Sequence, residues 1–222
     1  MRKSWSVMNI KGAIFDLDGT LLDSMPYWEN LGYEYLIREG YSPREDLNEA
    51  LKTMSLAQSA RYFREFYSVP KSEQEIINDI IRLIEEQYRC EVPLKASAKD
   101  VLKKLHKSGV RMCIATATGH DLAKAALKRL DAEKYFEFIL TPLEAGTGKD
   151  DPAFFEKALN MLDTPRHETI VVEDALHAII SAKKAGLFVA AIYDKSAHYE
   201  KEEIKRTADI YFNSFEDWKV VL

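Results

Sequence analysis

The rhythm of apolar and polar positions changes twice along the chain. Residues 12–17 form a short apolar run that breaks off in Asp16-Leu17-Asp18-Gly19, the pattern of a buried strand feeding a tight turn. From residue 24 to about 90 the apolar positions recur at helical spacing, as in Trp28, Leu31 and Tyr35, and again in Ile76, Ile77, Ile80, Leu83 and Ile84. The pattern predicts helices over 26–39, closed by Gly40, and over 43–53, 56–67 and 73–89. Ser42-Pro43-Arg44-Glu45 places an N-cap, a first-turn proline and a capping-box glutamate in order, and Ser72 with Glu75 repeats the capping-box spacing. Such a run of amphipathic helices folds as an antiparallel bundle.

Beyond Pro93 the rhythm alternates. Helices are predicted over 97–108, 121–130, 152–162 and 175–185, and strands over 111–115, 136–140, 169–172, 188–192 and 209–212. Strands separated by helices pair in parallel, with helices on both faces of the sheet. Because 12–17 is the same kind of apolar strand, the economical reading is one α/β domain, residues 1–22 and 93–222, split by an inserted helical bundle, residues 23–92. In open sheets of this kind ligands bind beyond the carboxyl ends of the strands.

Composition narrows the function classes. The 222 residues carry a net charge of −5, with 46% hydrophobic and 30% charged residues, a globular balance without the basic surface that nucleic-acid affinity requires. No apolar run approaches the roughly 20 residues of a membrane span. The opening residues 1–9 lack the apolar stretch of about 7–15 residues found in a secretory signal, and read as an extension of little consequence to the fold. Cys90 and Cys113 are too few for a disulfide scaffold and too far apart for a metal knuckle, so a reduced, cytoplasmic setting is expected, with Cys113 buried in its strand. Oligomeric state is expected to be monomer or weak dimer.

Polar residues cluster where the strands end: Asp16-Leu17-Asp18-Gly19-Thr20, Thr116-Ala117-Thr118, Gly148-Lys149 and Glu173-Asp174. Paired carboxylates at two strand ends make a hard oxygen site for Mg²⁺, and a lysine and a threonine add contacts for a phosphate. A carboxylate approaching a phosphate dianion meets a repulsion of about 4 kcal/mol per pair of unit charges at ~4 Å and an effective dielectric of ~20, which a metal and a lysine offset. Asp16 at the strand end is placed as nucleophile. Asp18, across a turn that Gly19 permits, is placed to protonate a leaving oxygen and then to activate water.

These segments together resemble the haloacid dehalogenase superfamily, in its Mg²⁺-dependent phosphotransferase branch with a helical cap after the first strand. The resemblance runs from Asp16-Leu17-Asp18-Gly19-Thr20-Leu21-Leu22-Asp23-Ser24 through Ile114-Ala115-Thr116 and Gly148-Lys149 with Pro152 and Phe155 to Val172-Glu173-Asp174 with 182–186. It implies a Rossmann-like core with a four-helix cap, hinged near 22–25 and 90–94. It implies an aspartyl-phosphate on Asp16, Asp18 as general acid and base, and phosphate held by Thr116, Lys149 and the amides of Leu17 and Ala117. It also implies Mg²⁺ held by Asp16, the Asp18 carbonyl and Asp174, with Glu173 a ligand directly or through water.

Departures from the pattern choose among branches. Asp18 disfavours carbon–halogen cleavage, and a Schiff-base route through a cap lysine is disfavoured because Lys52, the only lysine between Lys11 and Lys71, carries no mark of burial. Against beta-phosphoglucomutase, Trp28 stands near the place of a histidine and Leu56 near that of a phosphate-gripping arginine, although Arg61 or Arg64 could substitute. Asp150 and Ala153 depart from the usual proline and aspartate without removing a reacting group. The expected function is therefore hydrolysis of a small phosphorylated metabolite such as a sugar phosphate; the mutase and a non-catalytic phospho-ligand sensor are the alternatives. Trp28, Met54 and His120 are candidates to face substrate, with bundle core the competing reading for Trp28 and a solvated or capping role for His120.

Overall fold

The computed structural model describes residues 9–51 and 54–220. Met8 and Lys52 lie outside the described residues. The chain divides into two compact units, Met1–Asp23 with Pro93–Leu222, and Ser24–Val92.

In the first unit, β1 (Gly12–Phe15), β2 (Arg111–Ala115), β3 (Ile139–Leu140), β4 (Thr169–Glu173), β5 (Phe188–Ile192) and β6 (Ile210–Phe212) form one parallel sheet in the order β3-β2-β1-β4-β5-β6. Every residue of β1 and of β4 is buried, which is why these strands read as unbroken apolar runs rather than alternating ones. The crossovers contribute α5 (Ala98–Lys107), α6 (His120–Arg129), α7 (Pro142–Ala145), α8 (Pro152–Leu162), α9 (Leu176–Lys184) and α10 (Lys201–Thr207). Phe154 and Phe155 of α8 and Ile179 and Ala182 of α9 pack with Ile14, Cys113 and Val171. Trp218 stacks on Phe15, with ring centroids 6.3 Å apart. Burial pushes the Cys113 thiol far above its usual pKa, so it acts as a small apolar side chain.

The first strand stops two residues short of the apolar run. Leu17 turns its carbonyl out of the ladder to accept from Leu21 and Leu22 at 2.9 and 2.8 Å, and Gly19, at φ 77°, carries the chain through the turn. The strand expected over 136–140 shortens to β3 because Glu133–Tyr135 closes a 3₁₀ turn ahead of it. The charged run 201–206 is helical, but Ile204 anchors it in the core.

The second unit contains α1 (Met25–Arg38), α2 (Leu47–Leu51), α3 (Leu56–Tyr67) and α4 (Glu73–Cys90). Capping boxes start α3 at Ser55 with Gln58 and α4 at Ser72 with Glu75. The helix expected from residue 43 begins at Leu47. The Tyr67 hydroxyl takes the Arg44 amide at 3.0 Å, and Arg44 pairs with Asp46, so this stretch is held by α3 and by its own ion pair. The end expected at 53 lies outside the described residues. Tyr35 stacks on Phe63 at 5.4 Å in the bundle core, and a Cβ on Gly32 would come within 2.4 Å of Leu51. Trp28 does not belong to that core, contrary to the helical-spacing expectation. It is 40% exposed, and its indole N–H donates to the hydroxyl of buried Tyr88 at 2.8 Å.

Candidate active site

The strand order reverses direction at β1: the connections after β1 build outward through β2 and β3 on one side, and β4 to β6 fill the other. That switch point is where an open α/β sheet leaves a crevice beyond its carboxyl ends. Phe15 registers with Ile114 of β2 and with Val172 of β4, so the residues that follow each strand emerge at one level. Asp16, Thr116 and Asp174 follow their strands, Glu173 is the last residue of β4, and all four are buried.

Lys149, between α7 and α8, is buried with them. Its ammonium lies 2.5 Å from Asp16 Oδ1 and 2.6 Å from Glu173 Oε2. The loop that delivers it is pinned by Asp151, which caps α8 by accepting from Ala153 at 2.9 Å and also accepts from the Thr147 hydroxyl at 3.1 Å, with Pro152 in the first helical turn. Asp150, one of the departures from the family pattern, is exposed beside Gly148.

The acidic side chains are individually tethered. Glu173 Oε1 accepts from the amides of Asp174 and Ala175, both at 3.1 Å, and Oε2, buried without a hydrogen-bond partner, forms an ion pair with Lys149. Asp174 Oδ1 accepts from the Thr20 hydroxyl at 2.7 Å. Asp18 Oδ2 accepts from the Thr118 hydroxyl at 2.6 Å. Asp16 Oδ2 is buried with no hydrogen-bond partner.

Three buried carboxylates against one lysine leave an excess of negative charge. Burial, then repulsion from Glu173, raises the Asp16 pKa to about 6 even though Lys149 opposes the shift. Burial, Glu173 and Asp16 raise Asp174 well above the usual carboxylate range. Burial disfavours the Lys149 charge, but Asp16 and Glu173 outweigh it and hold the lysine protonated. Carboxylate oxygens of Asp16, Glu173 and Asp174 lie within 4.8 Å of one another. An unpartnered buried oxygen, an all-oxygen donor set and uncompensated negative charge fit a small hard cation.

The other expected site residues are spread more widely. Thr116 Oγ1 accepts from the Thr118 amide at 3.1 Å, which leaves its own proton for another acceptor. The Leu17 amide faces the Asp16 carboxylate, and Ala117 is exposed where β2 gives way to α6. His120 opens α6, half-exposed, 3.7 Å from Asp121. Trp28 lies on α1, and Met54 is half-buried in the link to α3, its amide on the Leu51 carbonyl at 2.9 Å. Arg61 and Arg64 both face Glu73, at 3.1 and 3.9 Å.

Three contributors carried no sequence assignment: Thr20, Thr118, and Lys95, which pairs with Asp194 at 2.8 Å and lowers the cost of charge on Asp174. Hydroxyls two residues beyond Asp18 and Thr116 were the available signal.

Residues 13–192 match the family model of the haloacid dehalogenase-like hydrolases. The chain belongs to that family. This haloacid dehalogenase-like hydrolase is 31% identical over 189 residues to hexitol phosphatase A of Escherichia coli, which covers 83% of this chain and 84% of the relative. It is 25% identical over 191 residues to a phosphorylated carbohydrates phosphatase of Thermotoga maritima, covering 80% and 82%. In fold it is similar to CbbY from Rhodobacter sphaeroides, solved with xylulose-(1,5)bisphosphate, at a TM-score of 0.70 and 23% identity over 93% of this chain and 95% of that one. Among the described residues no helix is long and apolar enough to cross a membrane.

Proposed function

We propose that this hydrolase is an Mg²⁺-dependent phosphatase that cleaves a small phosphorylated metabolite, a sugar phosphate in the first instance, through an aspartyl-phosphate on Asp16. The observation that carries the reading is the buried Asp16 carboxylate, with one oxygen on Lys149 and the other without a partner beside two further carboxylates. Its relatives' names, hexitol phosphatase and phosphorylated carbohydrates phosphatase, support the substrate class.

In this mechanism Asp16, the Asp18 carbonyl and Asp174 would hold Mg²⁺, with Thr20 orienting Asp174. When bound, the ion neutralises the carboxylates and the phosphate and stabilises charge on the transferring group. Glu173 would place the lysine and would reach the metal directly or through water. Lys149 draws charge from Asp16 and the phosphoryl oxygens, while Thr116 and the amides of Leu17 and Ala117 donate to those oxygens. Asp16 attacks phosphorus as Asp18 protonates the departing alcohol; Asp18 then deprotonates a water that hydrolyses the acyl phosphate. The helical unit 24–92 takes the part of the specificity-determining cap, with Trp28 and Met54 as its candidate substrate contacts and His120 as the candidate from the core.

The test is phosphate release from a panel of small phosphate esters, with and without Mg²⁺, for wild type and Asp16→Asn. Metal-dependent release abolished by the substitution supports the reading. Conversion of glucose 1-phosphate to glucose 6-phosphate without net release would replace it with the mutase, and silence across the panel would favour the sensor.

A further inference from the structure

Asp18 sits in the tight turn after β1, in a partly exposed place, on a short side chain with two rotatable bonds. An acid and base that must first give a proton to a leaving alcohol and then take one from water needs its carboxyl group aimed throughout, because a misplacement of about 1 Å costs on the order of 100-fold in rate. One side chain that holds it comes from 100 residues away: the Thr118 hydroxyl donates to Asp18 Oδ2 at 2.6 Å. Thr118 is itself set by the fold. Its amide donates to Thr116 Oγ1 at 3.1 Å, which closes the turn leaving β2 just before α6.

We propose that Thr118 is the positioning residue for Asp18, a hydroxyl latch that holds the carboxyl in its working orientation through both half-reactions. The proposal rests on the phosphatase reading above. A hydroxyl suits the task where a lysine would not, because it donates to one carboxyl oxygen without a charge that would keep the proton off the other. Towards the Asp18 carboxylate it donates, as seen. Towards the carboxylic acid it still donates to Oδ2, so that the single acid proton stays on the other oxygen, free for the leaving group.

Thr118 exchanges no proton in either step. In the first, the Asp18 proton moves to the leaving oxygen as its bond to phosphorus breaks and the Asp16–phosphorus bond forms. In the second, a water proton returns to Asp18 as the water oxygen bonds phosphorus and Asp16 is released. The same latch fixes the division of labour between the neighbouring threonines. Thr116 spends a lone pair on the Thr118 amide and keeps its proton for the phosphate, whereas Thr118 spends its proton on Asp18.

The experiment compares wild type, Thr118→Val, Thr118→Ala and Thr118→Ser at saturating Mg²⁺. It reads kcat/KM on the alkyl phosphate that wild type cleaves best and on p-nitrophenyl phosphate, whose phenolate leaves without a proton. General-acid assistance is typically worth about 10²–10⁴-fold. Thr118→Val and Thr118→Ala are expected to lose at least about tenfold on the alkyl ester and less than about threefold on the nitrophenyl ester, and Thr118→Ser to restore the alkyl rate. Should valine disturb folding, alanine against serine still isolates the hydroxyl. Equal losses on both esters, a rise in KM common to both, or no loss on either would overturn the latch while leaving the phosphatase standing. A wild type that releases no phosphate from either ester would overturn both.

Discussion

The Lys149 ammonium lies 2.5 Å from Asp16 Oδ1 with both side chains less than a tenth exposed, so each buried charge depends on the other. Lys149→Met removes the cation shared by Asp16 and Glu173 and leaves two buried carboxylates side by side. Breaking a buried pair from one side costs about 3–5 kcal/mol. Urea unfolding at neutral pH in chelator should show a loss of that order, and turnover at saturating Mg²⁺ should fall by at least ~100-fold. A variant as stable as wild type would mean that the pair contributes nothing in solution.

The crowding that lifts Asp16 from its ordinary 3.8 to about 6 makes metal-free stability depend on pH. The folded pKa is raised above the unfolded one, so the folded state binds the proton more tightly. The contribution is complete below about pH 4 and is lost as pH rises through about 6, an effect of roughly 3 kcal/mol from this group. Asp16→Asn should lack this slope, so in chelator the variant and wild type converge near pH 4 and the variant is the more stable at pH 7.5. Mg²⁺ competes with those protons. It should therefore raise the melting temperature of wild type more at pH 7.5 than at pH 5, and scarcely raise that of Asp16→Asn.

What could be read in the chain before folding follows from which interactions are local. Asp16, Lys149, Glu173 and Asp174 were legible because each follows a strand or precedes a helix whose apolar period is strong, and a parallel sheet brings such ends together. The partner of a particular oxygen was not. Thr118 on Asp18 and Thr20 on Asp174 depend on how loops about 100 and 150 residues apart meet, which no period encodes. Glu173 was legible as a carboxylate at a strand end, but that one of its oxygens also faces Lys149 emerges only once the loop carrying Lys149 is in place. Helical spacing showed which face of α1 carries Trp28 but not how deep that face lies, and the cap signal at Ser42-Pro43 lost to the Tyr67 hydroxyl on the Arg44 amide.

Asp194, at the end of β5, is the reverse case to Asp16. Burial raises its pKa, but Lys95 at 2.8 Å and the Ser196 amide and hydroxyl at 2.9 and 2.6 Å prevail and hold it below its ordinary value. A depressed folded pKa contributes stability that is present above the unfolded value and is lost as pH falls through the folded one. Asp194→Asn should therefore destabilise the protein at pH 7 by about 3 kcal/mol, with the deficit narrowing in acid below about pH 4. Lys95 also donates to the Tyr193 carbonyl at 2.9 Å and receives its own backbone hold from the Leu21 carbonyl at 2.8 Å. Lys95→Met should thus cost at least as much as Asp194→Asn, and the double variant less than the sum, since each single change leaves the other charge buried. Additive losses in urea unfolding would show that the pair is not coupled.

The long helix α4 depends on its first turn. Ser72 Oγ accepts from the Glu75 amide at 3.2 Å, and Glu75 returns a carboxylate oxygen to the Ser72 amide and hydroxyl, both at 2.7 Å. Those hydrogen bonds also hold the Glu75 carboxyl below its usual pKa. Ser72→Ala removes one half of the box and frees the glutamate, at a cost of about 1 kcal/mol. Glycine at the same position keeps the extended backbone and leaves the amides open to water, so Ser72→Gly should cost only a few tenths of a kcal/mol. The order alanine worse than glycine separates a capping role from general helix propensity, which ranks the two the other way. Because the box lies in the helical unit, hydrogen exchange should show the extra opening in the amides of α4 and its packing partners α1 and α3, while amides of β1 and β4 keep wild-type protection.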